Sequence, residues 1–510
     1  MKEKYILAHD LGTTGNKAAL YSSSGKLIAS AFYHYGTQYP QVNWAEQNPQ
    51  DWWQAVCIST RNLLSSAKIS KQDVTVISFS GQMMGCLPVD KKGNPLRSSI
   101  IWADQRSIRQ TEDIKKNIGE DKVYRITGHR ISPTYSAAKI MWVRDNQREI
   151  FDQTYKFLHA KDYIIYKLTG KFVTDYSDAS GMNLFDINKK QWSEKMLNVT
   201  KIPLEKLPSL HTSIDVAGEV TKKAGEEISL KAGTPVVLGG GDGPCAAVGS
   251  GAVKEGSCYN YIGSSSWIAL STKKPIYDPQ RRTFTFCHLD PEMFMPAGTM
   301  QSAGGAYQWL KENICQIESC LAEKIKIDPY EIMDLKAESV EPGSGNLLFL
   351  PYLMGERSPY WNPNAKGVWI GLTLTHKKAH LIRSVLEGIA FNLRIILNVF
   401  EEQGAHIKEV KVIGGGAKGR LLRQIMADVY NKRILRPFLL EEATSLGAAI
   451  AGGIGIGIFN DFTTAEKLIK VVEVQEPRLE IQEKYEKLYC IFKDTYQALI
   501  PIYEQLASVD

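Results

Sequence analysis

Four stretches of this chain combine glycine, hydroxyl and carboxylate groups at spacings that suit phosphate chemistry. The first is Leu238-Gly239-Gly240-Gly241-Asp242-Gly243. The apolar run Thr234 to Leu238 reads as a short buried strand that stops in three glycines. Glycine lets the backbone bend sharply and lets a ligand come close. Asp242 is then offered at a strand end, where open α/β sheets bind their ligands. By itself this is equally a strand-end turn with a capping Asp. The second stretch runs from a strand at Tyr5–Ala8 through Asp10-Leu11-Gly12-Thr13-Thr14-Gly15-Asn16-Lys17 to a returning strand at Ala18–Tyr21. A hairpin of this kind can wrap a phosphate with its N–H groups, two hydroxyls and the charge of Lys17. Asp10 suits a magnesium ion held largely through water. The loop is not of the Walker type, which needs GxxxxGK[ST] ahead of a helix. An ordinary hairpin turn is the alternative reading.

The third stretch repeats this device. Ser257–Ile262 and Trp267–Leu270 read as strands around Gly263-Ser264-Ser265-Ser266. The repetition predicts two related halves facing each other, with a boundary near Gly249–Gly256. The fourth is a strand, Val410–Ile413, running into Gly414-Gly415-Gly416-Ala417-Lys418-Gly419. Gly414, Gly416 and Gly419 satisfy GxGxxG, and Glu441 and Glu442 follow about 20 residues on, where a dinucleotide fold places its ribose-binding acid. An NAD-dependent oxidoreductase is therefore a rival reading. That fingerprint needs a βαβαβ unit, and fewer than a hundred residues, mostly helical in pattern, follow Gly419. It also leaves Thr13, Thr14, Ser264, Ser265 and Asp242 without work. Three phosphate-style turns and one strand-end carboxylate fit phosphoryl transfer better.

The elements that must carry these residues are legible in outline. Val74–Phe79 reads as a buried strand ending in Ser80-Gly81-Gln82-Met83-Met84-Gly85, and Ser99–Trp102 as another ending in Ala103-Asp104-Gln105-Arg106. Two such ends beside one cleft make a substrate wall. Methionines are more often core filler, and Asp104 with Arg106 could be a surface ion pair of little worth. Residues 111–168 read as mainly helical, 174–181 as a polar loop, and His380–Gln403 as a long amphipathic helix. A C-terminal helix follows from about Gln475.

With 510 residues the chain exceeds what one core usually supports, so two or more domains are expected. Its 44% hydrophobic and 23% charged residues are ordinary for a globular protein. The net charge of +6, with no long basic run, argues against nucleic acid or a membrane surface as the main partner. The eight cysteines show no paired zinc-type spacing and mostly sit among apolar residues, which suggests a reduced, cytoplasmic protein. Met1–Lys4 leads straight into a strand, with no signal-peptide pattern. Leu446–Phe459 is too short and glycine-rich to span a bilayer.

Taken together, the motifs resemble the FGGY family of carbohydrate kinases, which includes glycerol kinase and xylulokinase. Gly367-Val-Trp-Ile-Gly371-Leu372, His380-Leu381 and Ser384-Val385-Leu386-Glu387-Gly388 match the family's second signature at its spacing. Tyr135-Ser136-Ala-Ala-Lys139-Ile140-Met-Trp142 is close to the first. Asp10-Leu-Gly-Thr-Thr, Gly239-Gly-Gly-Asp242, Gly355-Glu-Arg357-Ser-Pro and Gly414-Gly-Gly-Ala417 match further positions. The resemblance implies an α/β protein of two actin-like (ribonuclease H-like) domains around a cleft. Residues 1–248 would carry the sugar site and the magnesium and phosphate loop, and 249–510 the adenine-nucleotide site. It implies ATP and Mg2+ as cofactors, Asp242 as general base and Asp10 as the metal residue. Gly12, Thr13, Thr14, Lys17, Gly263, Ser264 and Ser265 would face the phosphates, and Gly304, Gln308, Gly415, Gly416 and Ala417 the adenosine. Gln82, Met83, Met84, Trp102, Asp104, Asp242 and Gly243 would meet the substrate, a small sugar or polyol. A homodimer would fit the frequency of dimers in general. An actin-like ATP-driven switch shares the superfold but needs neither Asp242 nor the 367–388 signature.

Within the family the nearest likeness is to xylulokinase. Gly81-Gln82-Met83-Met84-Gly85 stands at its Gly-Gln-Met-His-Gly motif. Met84 replaces the sugar-binding His, and Gly243 replaces an Asn. Each change removes a polar partner for a sugar hydroxyl, so a deoxy or more reduced sugar, or another ketose or polyol, stands as the alternative to a xylulokinase-like ketose acceptor.

Overall fold

The computed structural model describes residues 4–509; Met1–Glu3, on which the reading of the N-terminus rests, lie outside them. The first half is built on strands β1 (Tyr5–Leu11), β2 (Gly15–Ser22), β3 (Leu27–His34), β4 (Val74–Gly81), β5 (Val216–Glu219) and β6 (Pro235–Val237), with a short β7 (Gly240–Gly241). They form one sheet in the order β5-β6-β4-β1-β2-β3, with β7 paired to β4. The second half is built on β8 (Cys258–Ile262), β9 (Ser266–Leu270), β10 (Phe284–Cys287), β11 (Phe294–Met300), β12 (Glu409–Ile413), β13 (Arg433–Pro437) and β14 (Val471–Gln475). Their order is β10-β11-β9-β8-β12-β13-β14.

The two sheets share one plan. In each, a strand returns antiparallel through a tight loop, β1 to β2 and β8 to β9. A crossover strand then pairs parallel to the first, β4 to β1 and β12 to β8. The sequence dictates this locally. β1 is buried along nearly its whole length, as a strand covered on both faces must be. β3 alternates half-buried and exposed positions, as a sheet edge facing water does. Helix α1 (Pro49–Ala67) crosses from the first meander to β4; the Asn48 side chain caps it by accepting from Gln50 N–H, and Pro49 fits its first turn.

Helices α2 (Ser136–Asn146), α3 (Ala160–Thr169) and α4 (Tyr176–Ser180) belong to an insertion before β5. Residues 174–181, expected as a loop, hold the end of a strand and the whole of α4. α5 (Asp242–Gly249) starts at the carboxylate itself. α6 (Gly304–Asn313), α7 (Lys378–Glu402), α8 (Arg420–Tyr430), α9 (Ala443–Gly455) and α10 (Gln482–Ala507) complete the second half.

The expected cut after residue 248 is crossed by α9. This helix comes late in the chain, yet it packs on α5, β1 and β4 of the first half. Residues from both ends, Ile6, Ala8, Val76, Leu446 and Ile450 among them, share one apolar core. The crossing with α5 is so close that side chains are excluded. A Cβ on Gly447 would lie 1.9 Å from the Cys245 carbonyl oxygen, and one on Gly249 would lie 1.7 Å from that of Ala443. Among the described residues no helix is long and apolar enough to cross a membrane. All eight cysteines are free thiols.

Gly447→Ala should lower the melting temperature by several degrees, because the helices must part to admit the methyl group, at a cost of about 1–3 kcal/mol. Gly36→Ala, where a Cβ meets nothing within 4 Å, should leave it unchanged. Differential scanning calorimetry of the two variants checks this.

Candidate active site

The ends of β1, β4, β8 and β12 converge on a cleft of three adjoining chambers. The central one, about 620 Å³, is lined by Asp10, Thr13, Thr14, Lys17, Asp242 and Ser265, among others. An inner one of about 120 Å³ lies behind Asp242, and an outer one of about 310 Å³ lies beyond Ser264 and Gly415. Asp242, Trp102, Ser265, Trp267 and Arg357 line both the inner and central chambers. Gly263, Ser264 and Gly415 line both the central and outer ones.

Both hairpin loops are held from behind through their carbonyls, the first by side chains and the second by backbone N–H groups. Gly12 O accepts from Tyr35 Oη at 2.6 Å and Gln82 Nε2 at 3.3 Å, and Thr13 O accepts from Gln47 Nε2 at 2.6 Å. Across a trans peptide the N–H points opposite to the C=O. Tying these carbonyls back turns the N–H groups of Thr13 and Thr14 towards the central chamber. In the second half Gly263 O and Ser264 O accept from the N–H groups of Gly304 and Gly305, at 3.0 and 2.9 Å. That turns the N–H groups of Ser264 and Ser265 inward. Gly304 must be glycine, since a Cβ there would lie 2.4 Å from Gly263 O.

Both Asp10 oxygens are fixed by hydroxyls, Oδ1 by Ser80 Oγ at 2.9 Å and Oδ2 by Thr444 Oγ1 at 2.6 Å. Thr444 lies in α9, so the second half orients the first half's carboxylate. Lys17 reaches the other way, donating to Glu441 O at 2.9 Å. Asp242 begins α5 with Oδ1 accepting from Gly243 N–H at 2.8 Å. Burial, reinforced by the negative charge of Asp10, pushes its pKa up to about 7. A carboxyl group of that strength suits a proton acceptor near neutral pH.

Behind Asp242 lies a buried charge cluster. Lys161 Nζ sits 2.9, 3.1 and 3.3 Å from carboxylate oxygens of Asp162, Asp175 and Asp178. Burial alone would strip Lys161 of its proton, and these three carboxylates more than reverse that. Asp175 Oδ2 accepts from Ser177 Oγ at 2.5 Å, and Ser177 Oγ in turn accepts from Gly241 N–H at 3.0 Å, one residue before Asp242. On the other side, Ser136 Oγ donates to Gly85 O, so it must accept from His159 Nε2 at 3.1 Å. His159 Nδ1 faces Asp178 at 3.3 Å. Burial opposes the imidazolium, but Asp178 outweighs it and raises the pKa. One cluster thus braces both Gly85, next to Met83 and Met84 of the inner chamber, and Gly241 at the carboxylate. His159, Asp162 and Asp178 lie close enough together to hold a metal ion, but Lys161 already neutralises two of those carboxylates.

The inner chamber is walled by Met83, Met84, Phe284, Phe286 and Met295 on one side, with Arg357, Thr299 and Tyr135 on another. Met84 holds a left-handed backbone, φ +63°, with its carbonyl bound by Lys139 Nζ at 2.8 Å. The outer chamber is lined by Tyr307 and Tyr330, stacked at 5.2 Å, with Gln308, Asp334 and Gly416. Tyr307 Oη donates to Asp334 Oδ1 at 2.7 Å, and burial raises that carboxyl to about 6.

Of the residues expected here, three lie elsewhere. Gln82 braces the first loop and lines no chamber. Asp104 is fully buried and committed to the Arg106 guanidinium at 2.6 Å and to Ala45 N–H, so the pair is neither at the substrate nor on the surface. Ala417 is buried, with its carbonyl accepting from Arg423 at 2.6 Å. Glu441 and Glu442, which a dinucleotide reading would place on a ribose, face Lys418 and Lys17. In the 367–388 signature Glu387 is structural, accepting from Gly343 N–H, Ser344 Oγ, Arg383 and Tyr485 Oη, while Leu386 lines the outer chamber. Arg357 was not singled out as a site residue, although its loop was matched. The Tyr307–Tyr330 pair carried no sequence signal.

A profile for the N-terminal domain of the FGGY family of carbohydrate kinases matches residues 5–249, and one for its C-terminal domain matches 258–456. The chain is 33% identical to a gluconokinase of Bacillus licheniformis, over 99% of this chain and 98% of that one. It is 31% identical to a xylulose kinase of Bacillus subtilis, over 97% of each. A ligand-bound xylulose kinase structure from Lactobacillus acidophilus superposes with a TM-score of 0.91 at 28% identity, covering 99% of this chain and 100% of that one. The likeness is therefore shared between gluconate and xylulose enzymes rather than nearest to xylulokinase alone.

Lys161→Met should destabilise the fold by about 3–5 kcal/mol, since it leaves buried carboxylates without their cation. Chemical denaturation against the parent chain measures it, and a loss under 1 kcal/mol would mean the cluster is not charged as described.

Proposed function

Because this chain belongs to the FGGY family of carbohydrate kinases, we propose that Asp242 is the general base that delivers a sugar hydroxyl in the inner chamber to the γ-phosphate of ATP in the central one. The observation that carries this is the place of Asp242, on the shared wall of both chambers, with its pKa near neutrality. The hydroxyl oxygen attacks the γ-phosphorus while its proton passes to Asp242. The bond from that phosphorus to the bridging β-phosphate oxygen breaks, and ADP leaves. Inward N–H groups and hydroxyls of Thr13, Thr14, Ser264 and Ser265 hold the phosphate oxygens, so catalysis is mostly alignment and charge stabilisation. The outer chamber takes the adenosine, with Gly304, Gln308, Gly415 and Gly416 on its wall.

Asp10 fits Mg2+: it is an oxygen donor with both oxygens fixed, and its remaining lone pairs can accept from metal-bound water. When bound, the ion neutralises phosphate charge. The free thiols support a reducing, cytoplasmic setting. Among acceptors, the relatives act on xylulose and on gluconate by name. Met84 and Gly243 offer no side-chain polar group to the inner chamber, which supports an acceptor other than D-xylulose.

Asp242→Ala should reduce sugar-dependent ADP release by about 10²–10⁴-fold while nucleotide affinity by calorimetry stays within a few fold; lost ATP binding would mean the wrong carboxylate was assigned. In the parent enzyme the base works only when ionised. As pH falls below about 7, kcat/KM for the sugar should decline, approaching tenfold per pH unit. A profile flat from pH 8 to 5 would exclude Asp242 as the titrating base.

A further inference from the structure

The inner chamber is lopsided, and the imbalance bears on which sugar it takes. Its charged groups lie at the mouth, while the hydroxyl residues Ser132, Thr134 and Thr299 line it elsewhere. Asp242, Ser265 and Arg357 all sit on the wall shared with the central chamber. Arg357 is half-buried there, and its Nε has no hydrogen-bond partner. The far wall is apolar: Met83, Phe284, Phe286 and Met295 belong to one continuous buried core, and Met84 packs against it.

Apart from the hydroxyls of Ser132, Thr134 and Thr299, the polar side-chain atoms of the remaining lining residues are committed inside the protein. Trp102 Nε1 donates to Thr13 Oγ1, Trp267 Nε1 to Tyr259 Oη and Trp361 Nε1 to Arg282 O. Tyr259 Oη donates to Gly243 O, and Gly243 N–H is held by Asp242. Tyr135 Oη pairs with His129 Nδ1 at 3.1 Å. The Met84 carbonyl is taken by Lys139. All three indoles on the lining therefore turn their N–H groups into the protein and leave carbon to the cavity. A hydroxyl pushed against this wall would find no partner.

Resting on the kinase reading above, we propose that the natural acceptor is a deoxygenated sugar or sugar acid. Its acceptor hydroxyl lies at Asp242, its other oxygens lie near Arg357 and Ser265, and a methyl or methylene group lies against the wall of Met84, Phe284 and Met295. The chamber recognises an amphipathic monosaccharide, polar at the phosphate end and apolar at the other.

Matched pairs test this: D-xylulose against 1-deoxy-D-xylulose, and D-gluconate against 2-deoxy- and 3-deoxy-D-gluconate. Two readouts are taken on the full-length protein, quenching of the lining tryptophans for binding and ADP release for turnover. At least one deoxy compound should bind, and turn over by kcat/KM, about 10–100-fold better than its parent. Met84→Gln, which returns a polar group to the wall, should narrow that ratio. Parents that bind as tightly as every deoxy partner would overturn the proposal, as would a ratio unmoved by Met84→Gln. Tighter binding of a deoxy compound without turnover would uphold the acceptor class and count against Asp242 as the base.

Discussion

The near-contact between α5 and α9 is the constraint on which the cleft depends. Each helix presents glycine to the other's backbone, at Gly249 and Gly447, so the helices approach to a distance that no side chain permits. α5 begins at Asp242, and α9 carries Thr444, which holds Asp10. The crossing therefore does more than join the two halves. It delivers a hydroxyl from the far end of the chain to a carboxylate near its beginning, and it sets the floor on which Asp242 stands.

Above that floor, the two halves solve the same problem with different chemistry. A loop that is to hold phosphate must turn its N–H groups inward, and therefore its carbonyls outward, where they need donors. The first half supplies the side-chain amides of Gln47 and Gln82. The second supplies the N–H groups of Gly304 and Gly305, at the start of a helix. The backbone plan is repeated while the bracing is not, which is why the two loops look alike in sequence and their supports do not.

The charges beneath the site follow a similar logic. Three carboxylates, a lysine and a histidine in a buried interior would be ruinous one at a time, and they are tolerated because each neutralises a neighbour. The network reaches Gly85 through Ser136 and the turn before Asp242 through Ser177. A buried ionic cluster is a poor source of net stability, but it permits few alternative geometries. Holding two walls of a small chamber in register needs that rigidity.

How much of this was legible beforehand depends on how far apart the partners lie in the chain. The hairpins at 5–22 and 258–270, the strand-end Asp242 and the turn at Gly414 were readable because a strand, a tight loop and the next strand are neighbours in sequence. Their residue types carry the local geometry with them, and the family motifs repeat it. Gln82, Asp104 and Ala417 stand outside the chambers because Gly12, Ala45 and Arg423, which engage them, are brought up only by folding, while the Asp104–Arg106 pair, local enough to read from its motif, is buried and not on the surface. The Arg357 guanidinium at the chamber mouth was visible only as part of a matched motif, and the stacked Tyr307 and Tyr330 and the Lys161 cluster gave no such signal. The sequence alone determined which segments bend, where a carboxylate is offered and which family of chemistry it serves. Only the tertiary structure decided which polar groups remain free to meet a ligand, because hydrogen-bond capacity is spent between residues that meet only once the chain is folded.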